Sequence, residues 1–239
     1  MTNAECRAVL FDLDDTLFDH RRSARAALAS VHRAFASASD FAAFERHHAH
    51  YLEEMHLEVL AGRATLDDAR RERFRRVFAA LGIRLDPADA HRVAAAYRDG
   101  YARTREAVEG AIELLSALRR SVNIGVVTNN LLEEQRDKLK VCGLAPYIDE
   151  LVASEDVGVS KPDPEIFRIA LQRLRVDVAE AVMVGDSWRN DIEGAHAAGL
   201  RAVWFNPDHL EQPPLPAAVR SIARLTPADA VAAVILAQG

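Results

Sequence analysis

The stretch Ala8-Val9-Leu10-Phe11-Asp12-Leu13-Asp14-Asp15-Thr16-Leu17 places three carboxylates directly behind an apolar run. A short run of this kind, Ala8 to Leu13, predicts a buried strand. Carboxylates crowded at the end of a strand repel one another unless a cation or hydrogen-bond donors compensate them. Ligands of open α/β sheets bind at the carboxyl ends of the strands. The stretch therefore indicates a functional sheet edge, although an acidic turn or helix N-cap explains it equally well in isolation.

The rest of the chain alternates short apolar runs with helical patterns. The runs predict strands at Ile124–Thr128, Glu150–Ala153, Ala181–Gly185 and Ala202–Phe205. The patterns between and around them predict helices at Ala111–Leu118, Leu131–Val141, Pro164–Leu174 and Asp191–Ala198. Such alternation is typical of a doubly wound parallel sheet, so we expect an α/β fold with a Rossmann-like core.

One interval is too long for a crossover connection. About a hundred residues separate the first two predicted strands, where one helix would suffice. The interval has helical patterns throughout, at Arg22–Ser37, Phe41–Leu60, Leu66–Leu81 and Pro87–Arg105. We therefore predict an inserted all-helical cap at residues 18–106 and a catalytic core made of residues 1–17 and 107–239.

Charge and apolar content restrict the classes of partner. Acidic residues outnumber basic residues by 36 to 30, which gives a formal net charge of −6. Proteins that neutralise a phosphate backbone need a basic surplus, so we expect no nucleic-acid partner. No stretch approaches the roughly 18 apolar residues of a membrane span, and the two cysteines lack metal-ligand spacing. We expect a cytoplasmic protein, monomeric or homodimeric, without a membrane partner.

A second acidic cluster follows the predicted strand Ala181–Gly185. It reads Gly185-Asp186-Ser187-Trp188-Arg189-Asn190-Asp191. If this strand lies beside the first, its two carboxylates meet Asp12 and Asp14 at one edge of the sheet. Four carboxylates suit a hard cation, and ligation by oxygen alone favours Mg²⁺ over zinc. Asp191 also fits a purely structural role as a helix N-cap.

Two further strand ends carry groups suited to an anionic substrate. The strand Ile124–Thr128 ends in a hydroxyl, and the backbone N–H groups that follow, beginning with Asn129, open a helix. Such donors suit a phosphoryl oxygen, although strand-to-helix turns of this kind are common. Lys161 is one of three lysines in the chain and follows the strand Glu150–Ala153. A solvated loop lysine is the alternative interpretation.

Taken in their order along the chain, these motifs resemble those of the haloacid dehalogenase (HAD) superfamily. The resemblance is to its phosphatase branch with a helical cap of the C1 type. The matching positions are Asp12-x-Asp14-x-Thr16, Thr128, Lys161, and Gly185-Asp186 with Asp191. Each motif is weak alone, but together they span nearly the whole chain. Within the branch, the sequence is similar to the pyrimidine nucleotidase and N-acylneuraminate 9-phosphatase group.

The resemblance implies a Mg²⁺-dependent phosphatase that acts on a small phosphorylated metabolite, a nucleotide or sugar phosphate. It implies that Asp12 is the nucleophile and Asp14 the general acid and base. The metal ligands implied are the carboxylates of Asp12 and Asp186 and the backbone carbonyl of Asp14, with Asp191 orienting the outer shell. Thr128 and the Asn129 amide would bind the phosphoryl group, and Lys161 would offset negative charge.

Other activities of the superfamily give alternative interpretations. A 2-haloacid dehalogenase also uses an aspartate nucleophile, but it needs neither Mg²⁺ nor the acid that Asp14 supplies. Phosphonate cleavage requires a cap lysine, and residues 18–106 contain no lysine. A sugar-phosphate mutase shares the phosphoryl-transfer residues, and a non-catalytic binding module would be expected to tolerate the loss of Asp12 or Asp14.

Two groups of cap residues have more than one interpretation. His47 and His50 share a helix face and suggest a transition-metal site or a solvated surface. For Arg21, Arg22 and Arg25 we expect either that one of them reaches a substrate anion or that they form ion pairs across the predicted cap and core.

Overall fold

The computed structural model describes residues 5–214 and 219–237. Within these ranges six strands form one sheet: β1 (Ala8–Phe11), β2 (Asn123–Thr128), β3 (Glu150–Ala153), β4 (Ala181–Gly185), β5 (Arg201–Phe205) and β6 (Arg220–Ile222). All neighbouring pairs are parallel, and the order is β3-β2-β1-β4-β5-β6. The predicted α/β fold with a doubly wound parallel sheet is confirmed.

The centre of the sheet positions the functional edge. β1 pairs with β2 on one side and with β4 on the other, and its four residues are buried. The chain winds from β1 toward β3 in one direction and toward β6 in the other. In sheets of this topology the crevice where the winding direction changes is the usual ligand site. Residues that follow β1 and β4 therefore face the most favourable position for a ligand.

The chain divides into two compact units, with breaks after Asp19 and after Arg105. We call residues His20–Arg105 the helical unit and the rest of the described chain the sheet unit. The roles of catalytic core and cap remain predictions for the two units. Across the described ranges, none of the helices combines the length with the apolar character that a bilayer crossing requires.

The helical unit contains α1 (His20–Phe35), α2 (Phe41–Leu60), α3 (Leu66–Ala80) and α4 (Pro87–Arg103). Asp40, Thr65 and Asp86 cap the last three helices, because each side chain accepts a hydrogen bond from a backbone N–H in the first turn. The unit has its own aromatic core, in which the Phe44 and Phe78 rings meet edge to face at 5.6 Å. Such packing stabilises the four helices as one body.

The helices of the sheet unit are α5 (Ala111–Leu118), α6 (Leu132–Val141), α7 (Ser154–Val157), α8 (Pro164–Leu174), α9 (Gly194–Ala197) and α10 (Ala228–Leu236). A π-helical turn, Trp188–Glu193, precedes α9 where the sequence predicted a single helix from Asp191. π-helical turns are frequent at functional sites. The short elements α7 and β6 were not predicted, because three or four residues give too little periodicity.

The first strand ends two residues earlier than predicted. After Phe11 the chain turns, and the Leu13 carbonyl accepts hydrogen bonds from the backbone N–H groups of Thr16, Leu17 and Phe18. Asp15 adopts the left-handed conformation within this turn, with φ of 64°. Asp12 and Asp14 therefore lie in a loop above the strand and do not alternate along an extended segment.

Candidate active site

The predicted site residues converge on one cavity at the carboxyl edge of the sheet. Asp12 follows β1, Thr128 ends β2, Asp186 follows β4, and Lys161 lies in the loop before α8. The cavity has a volume of about 180 Å³. It is lined by Asp12, Asp14, Thr128, Asn129, Lys161, Asp186, Ser187, Asn190 and Asp191. The structure thus brings together the seven residues to which the family resemblance gives a site role, although their individual roles stay predictions.

Lys161 joins two of the carboxylates. Its Nζ lies 2.5 Å from Asp12 Oδ1 and 2.6 Å from Asp191 Oδ1, and its side chain is 2% exposed. Burial alone would lower the pKa of Lys161, but the two carboxylates outweigh it and raise that pKa. Lys161 is therefore a permanent positive charge beside Asp12.

Asp12 experiences opposing influences. Burial raises the pKa of Asp12 well above its ordinary value, and the nearby Asp191 and Asp186 carboxylates add to this effect. Lys161 opposes the shift by stabilising the ionised form. A bound divalent cation would add a larger positive charge and favour ionisation further. The net effect is a raised pKa, so the ionised form of Asp12 depends on Lys161 and on a cation bound at the cluster for compensation.

Asn129 fixes the backbone of Lys161. Its Oδ1 accepts a hydrogen bond from the Lys161 N–H at 2.6 Å, and its Nδ2 donates to the Lys161 carbonyl at 2.7 Å. The side chain of Asn129 therefore ties the end of β2 to the loop that carries the lysine. This contact was not predicted, since the sequence suggested a role only for the backbone amide of Asn129.

Three carboxylates form a cluster with the geometry of a cation site. Oxygen atoms of Asp12, Asp186 and Asp191 all lie within 4.8 Å of one another. Oxygen-only donors suit Mg²⁺, so the residues present fit this ion. Asp191 is fully buried, and its Oδ2 accepts from the Ser187 N–H at 3.0 Å while its Oδ1 binds Lys161. Because both oxygens already have donors, Asp191 fits the predicted outer-shell role better than direct ligation.

Gly185 has no side chain, which leaves room for the Asp191 carboxylate of this cluster. A Cβ at this position would collide with the Asp191 carboxylate, because the buried side chain packs directly against the Gly185 backbone. The glycine at the end of β4 is therefore required by close approach of a carboxylate.

The end of β4 is held by hydrogen bonds from both sides. The Asp186 N–H donates to Thr16 Oγ1 at 3.1 Å, which links the first loop to β4. Trp204 Nε1 donates to the Asp186 carbonyl at 2.8 Å. The Trp204 ring also meets that of Trp188 edge to face, with centroids 5.0 Å apart. Asp186 is thus fixed through its backbone, and its carboxylate, which lines the cavity, accepts from the Thr16 hydroxyl at 3.5 Å.

Asp14 accepts hydrogen bonds from three side chains. Lys138 Nζ lies 2.6 Å from its Oδ1, while Gln135 Nε2 and Asn130 Nδ2 lie 3.0 Å and 3.3 Å from its Oδ2. Sequence reasoning gave no role to these donors. The signal that could have found them is the spacing of Gln135 and Lys138, which are three residues apart on the helix that follows Thr128.

Comparison with known proteins agrees with these motifs. The model of the haloacid dehalogenase-like hydrolase family matches residues 6–199. Pyrimidine 5'-nucleotidase YjjG of Escherichia coli is 44% identical over 105 residues, which cover 44% of this chain and 47% of that protein. The alignment thus spans about half of the nucleotidase. Human N-acylneuraminate-9-phosphatase is 37% identical over 94 residues, which cover 39% of this chain and 38% of that protein.

HAD-hydrolase YfnB of Bacillus subtilis matches over a longer stretch. It is 30% identical over 214 residues, which cover 84% of this chain and 85% of that protein. Its magnesium-bound crystal structure superposes with a TM-score of 0.75 at 25% identity, covering 97% of this chain and 99% of that one.

A dehalogenase is also among the structural neighbours. The 2-haloacid dehalogenase of Pseudomonas syringae superposes with a TM-score of 0.65 at 26% identity, over 96% of this chain and 99% of that one. The crystal structure of a HAD phosphatase from Thermococcus onnurineus also superposes, with a TM-score of 0.60 at 26% identity over 94% of this chain and 97% of that one, so a phosphatase and a dehalogenase both share this fold. The match over residues 6–199, with the motif residues gathered at one sheet edge, shows that the chain belongs to the haloacid dehalogenase-like hydrolase family.

Proposed function

We propose that this protein is a Mg²⁺-dependent phosphomonoester hydrolase that acts through an aspartyl-phosphate on a small phosphorylated metabolite. The observation that carries the proposal is the cavity in which Asp12 pairs with a buried ammonium and also belongs to a carboxylate cluster that suits a cation. A nucleophilic carboxylate beside a fixed positive charge and a cation site suits attack on a phosphoryl group, whose own oxygens are negative. The sequence similarity to a pyrimidine 5'-nucleotidase and to an N-acylneuraminate-9-phosphatase supports a nucleotide or sugar phosphate as the substrate.

The first half-reaction transfers the phosphoryl group to Asp12. One Asp12 oxygen attacks phosphorus, and the bond between phosphorus and the ester oxygen breaks. Asp14, which lines the same cavity, gives its proton to the departing oxygen, so that an alcohol leaves. Lys161 stays protonated and offsets the charge that accumulates between Asp12 and the phosphoryl oxygens.

The second half-reaction returns Asp12 to its free form. Asp14, now a carboxylate, accepts a proton from water, and the water oxygen attacks phosphorus. The bond between phosphorus and the Asp12 oxygen breaks, and inorganic phosphate leaves. The same residue thus serves as acid and then as base, and the cycle ends with Asp14 protonated again.

Thr128 supplies a donor for the phosphoryl group. Gln135 Nε2 donates to Thr128 Oγ1 at 2.6 Å, so the hydroxyl oxygen already accepts one hydrogen bond. A hydroxyl has a single proton, which is then left to donate into the cavity that Thr128 lines. The expected acceptor is a phosphoryl oxygen.

The metal would be held by the carboxylates of Asp12 and Asp186 and by the backbone carbonyl of Asp14, with Asp191 in the outer shell. When bound, Mg²⁺ supplies charge neutralisation between the carboxylates and the phosphoryl oxygens. YfnB, which shares the fold over nearly its whole length, has been crystallised with magnesium.

Dehalogenation is the second candidate, because dehalogenase structures share the fold. That reaction needs a carboxylate nucleophile but releases a halide, which requires no proton. Asp14 would then have no chemical role beside the nucleophile, and the carboxylate cluster would have no cation to bind. Both features therefore favour the phosphatase.

Phosphate release from p-nitrophenyl phosphate, nucleotides and sugar phosphates tests the proposal. We expect turnover that requires Mg²⁺ and that Asp12→Asn abolishes, because the amide is not a nucleophile. Asp89→Asn, on the surface of the helical unit, is the matched control and should retain activity. Halide release from 2-haloacids without phosphate release would favour the dehalogenase, and isomerised sugar phosphate would favour a mutase. Mg²⁺ binding without turnover of any ester would indicate a binding module.

A further inference from the structure

One face of α6 is buried against the site although its residues belong to none of the family motifs. Gln135 is fully buried and Lys138 is 3% exposed, whereas the neighbouring Lys140 is exposed. Charged residues are rarely buried unless they are paired. The burial of Lys138 therefore calls for a specific partner.

That partner is Asp14. Lys138 Nζ lies 2.6 Å from Asp14 Oδ1, and it also lies 5.1 Å from the centroid of the Phe18 ring. The ring and the carboxylate restrict the ammonium to one place. A short, buried, charge-assisted hydrogen bond of this kind is among the stronger contacts available to a carboxylate.

Gln135 holds the second oxygen of the same carboxylate. Its Nε2 donates to Asp14 Oδ2 at 3.0 Å and to Thr128 Oγ1 at 2.6 Å, so one amide group joins the proposed acid to the proposed phosphate donor. The amide oxygen of Gln135 is buried without a hydrogen-bond partner among the described residues. Leaving an acceptor unsatisfied costs stability, which indicates that the two donor contacts are what the residue is needed for.

We propose that Lys138 and Gln135 are positioning residues that hold the Asp14 carboxylate toward the leaving group and the attacking water. The inference rests on the proposed phosphatase function. With both oxygens bound to donors on one rigid helix, Asp14 cannot rotate away from the cavity, and proton transfer depends on such alignment. Neither residue contacts the substrate in this role: Lys138 acts through Asp14, and Gln135 acts through Asp14 and Thr128.

The test compares esters with good and poor leaving groups. p-Nitrophenol leaves readily without protonation, whereas an alkoxide, as in a sugar phosphate, needs the proton from Asp14. In Lys138→Met we expect kcat/KM to fall about 10- to 100-fold for the alkyl ester and less than about threefold for p-nitrophenyl phosphate. Lys140→Met, which changes an exposed lysine on the same helix, is the control and should leave both values unchanged.

The second half-reaction gives a separate signature. Asp14 activates water for both substrates, so misalignment should slow hydrolysis of the aspartyl-phosphate whichever alcohol has left. Rapid mixing of Lys138→Met with p-nitrophenyl phosphate should therefore show a burst of about one equivalent of p-nitrophenol per site before a slow steady rate. A general loss of structure would lower the burst and the steady rate together.

Conservative variants separate positioning from folding. Lys138→Arg keeps a cationic donor and should recover part of the alkyl-ester activity. Gln135→Leu should show the leaving-group difference of Lys138→Met and, in addition, a loss common to both esters, because Thr128 loses its donor as well. Equal loss for both esters, no burst, or increased activity in Lys138→Met would each overturn the positioning role while the wild type remains an active phosphatase. An inactive wild type would instead overturn the proposed function, and this inference with it.

Discussion

The two units bury positive charge in different ways. In the sheet unit, the Lys161 ammonium lies within 2.6 Å of two carboxylates. In the helical unit, the buried Arg73 guanidinium lies over the rings of Phe74 and Tyr97, 5.2 Å and 5.1 Å from their centroids. Opposed charges at short distance produce strong local fields, whereas aromatic rings give a weaker and more diffuse attraction. The first arrangement suits chemistry, and the second suits packing.

The direction in which burial and nearby charges shift a pKa differs between the two units in the same way. Burial lowers the pKa of His48, in the core of the helical unit, well below its ordinary value, and the charges of Arg73 and His20 act in the same direction. For Lys161 the neighbouring carboxylates reverse the effect of burial and raise its pKa. The surroundings therefore favour the charged form of Lys161 at the sheet edge and the neutral form of His48 in the helical unit.

The largest expected change in the free energy of unfolding comes from removing the buried ammonium of Lys161. Lys161→Met should lower the free energy of unfolding by about 3–5 kcal/mol at neutral pH without Mg²⁺, because it leaves two buried carboxylates uncompensated. Urea unfolding of both proteins measures the loss, with Lys140→Met as the control. Added Mg²⁺ should recover more stability in the variant than in the wild type. A loss below about 1 kcal/mol would show that the carboxylates do not depend on Lys161.

A smaller effect is expected from His48 in the helical unit. Its pKa is lower in the folded state than in the unfolded state, where it is about 6.5. Below that pH the unfolded chain binds more protons, so the free energy of unfolding decreases as the pH falls. His48→Leu should remove up to about 2 kcal/mol of this decrease between pH 6.5 and pH 5, at 1.36 kcal/mol per pH unit.

Urea unfolding of wild type and His48→Leu at several pH values measures the difference, in which other titrating groups cancel. The exposed His91, replaced by leucine, serves as the matched control. If the free energy of unfolding changed with pH in the same way for wild type and His48→Leu, His48 would be protonated in the folded protein as it is in the unfolded chain. The two units would then not differ in how burial affects a basic group.

The smallest effect is expected from ion pairs at the surface. Arg25 Nε lies 3.0 Å from Glu45 Oε1, and the two side chains are 68% and 36% exposed. Solvent and salt screen such a pair, so Arg25→Ala should change the free energy of unfolding by about 0.5 kcal/mol or less. Thermal unfolding in low and high salt checks this. A loss comparable to that of Lys161→Met would mean that burial does not set the strength of these pairs.

Motifs at strand ends were predictable because parallel strands end at a common edge. The groups at Asp12, Thr128, Lys161 and Asp186 each follow an apolar run, and the topology then brings them together. The structural reason that Asp191 suits the outer shell of a metal could not be predicted in this way. It depends on hydrogen bonds from Ser187 and Lys161, and the spacing of residues along the chain does not specify them.

Side chains on helix faces were harder to predict. The notable histidines in the sequence were His47 and His50, yet His48 between them is the buried one, because the rotation of α2 against the aromatic core decides which residue faces inward. His50 instead lies 3.4 Å from Glu54. Arg25, for which a substrate anion was one interpretation, pairs with Glu45. Gln135 and Lys138 escaped notice for the same reason, since their importance depends on which face of α6 meets Asp14.

The contact between Trp204 and the Asp186 carbonyl has a practical consequence. The chain contains two tryptophans, and their indole rings meet edge to face beside the proposed metal ligand. Indole fluorescence is sensitive to hydrogen bonding and to nearby charge. The intrinsic emission of the unlabelled protein should therefore report on occupancy at Asp186, which allows affinity for a divalent cation to be followed by titration before any substrate has been identified.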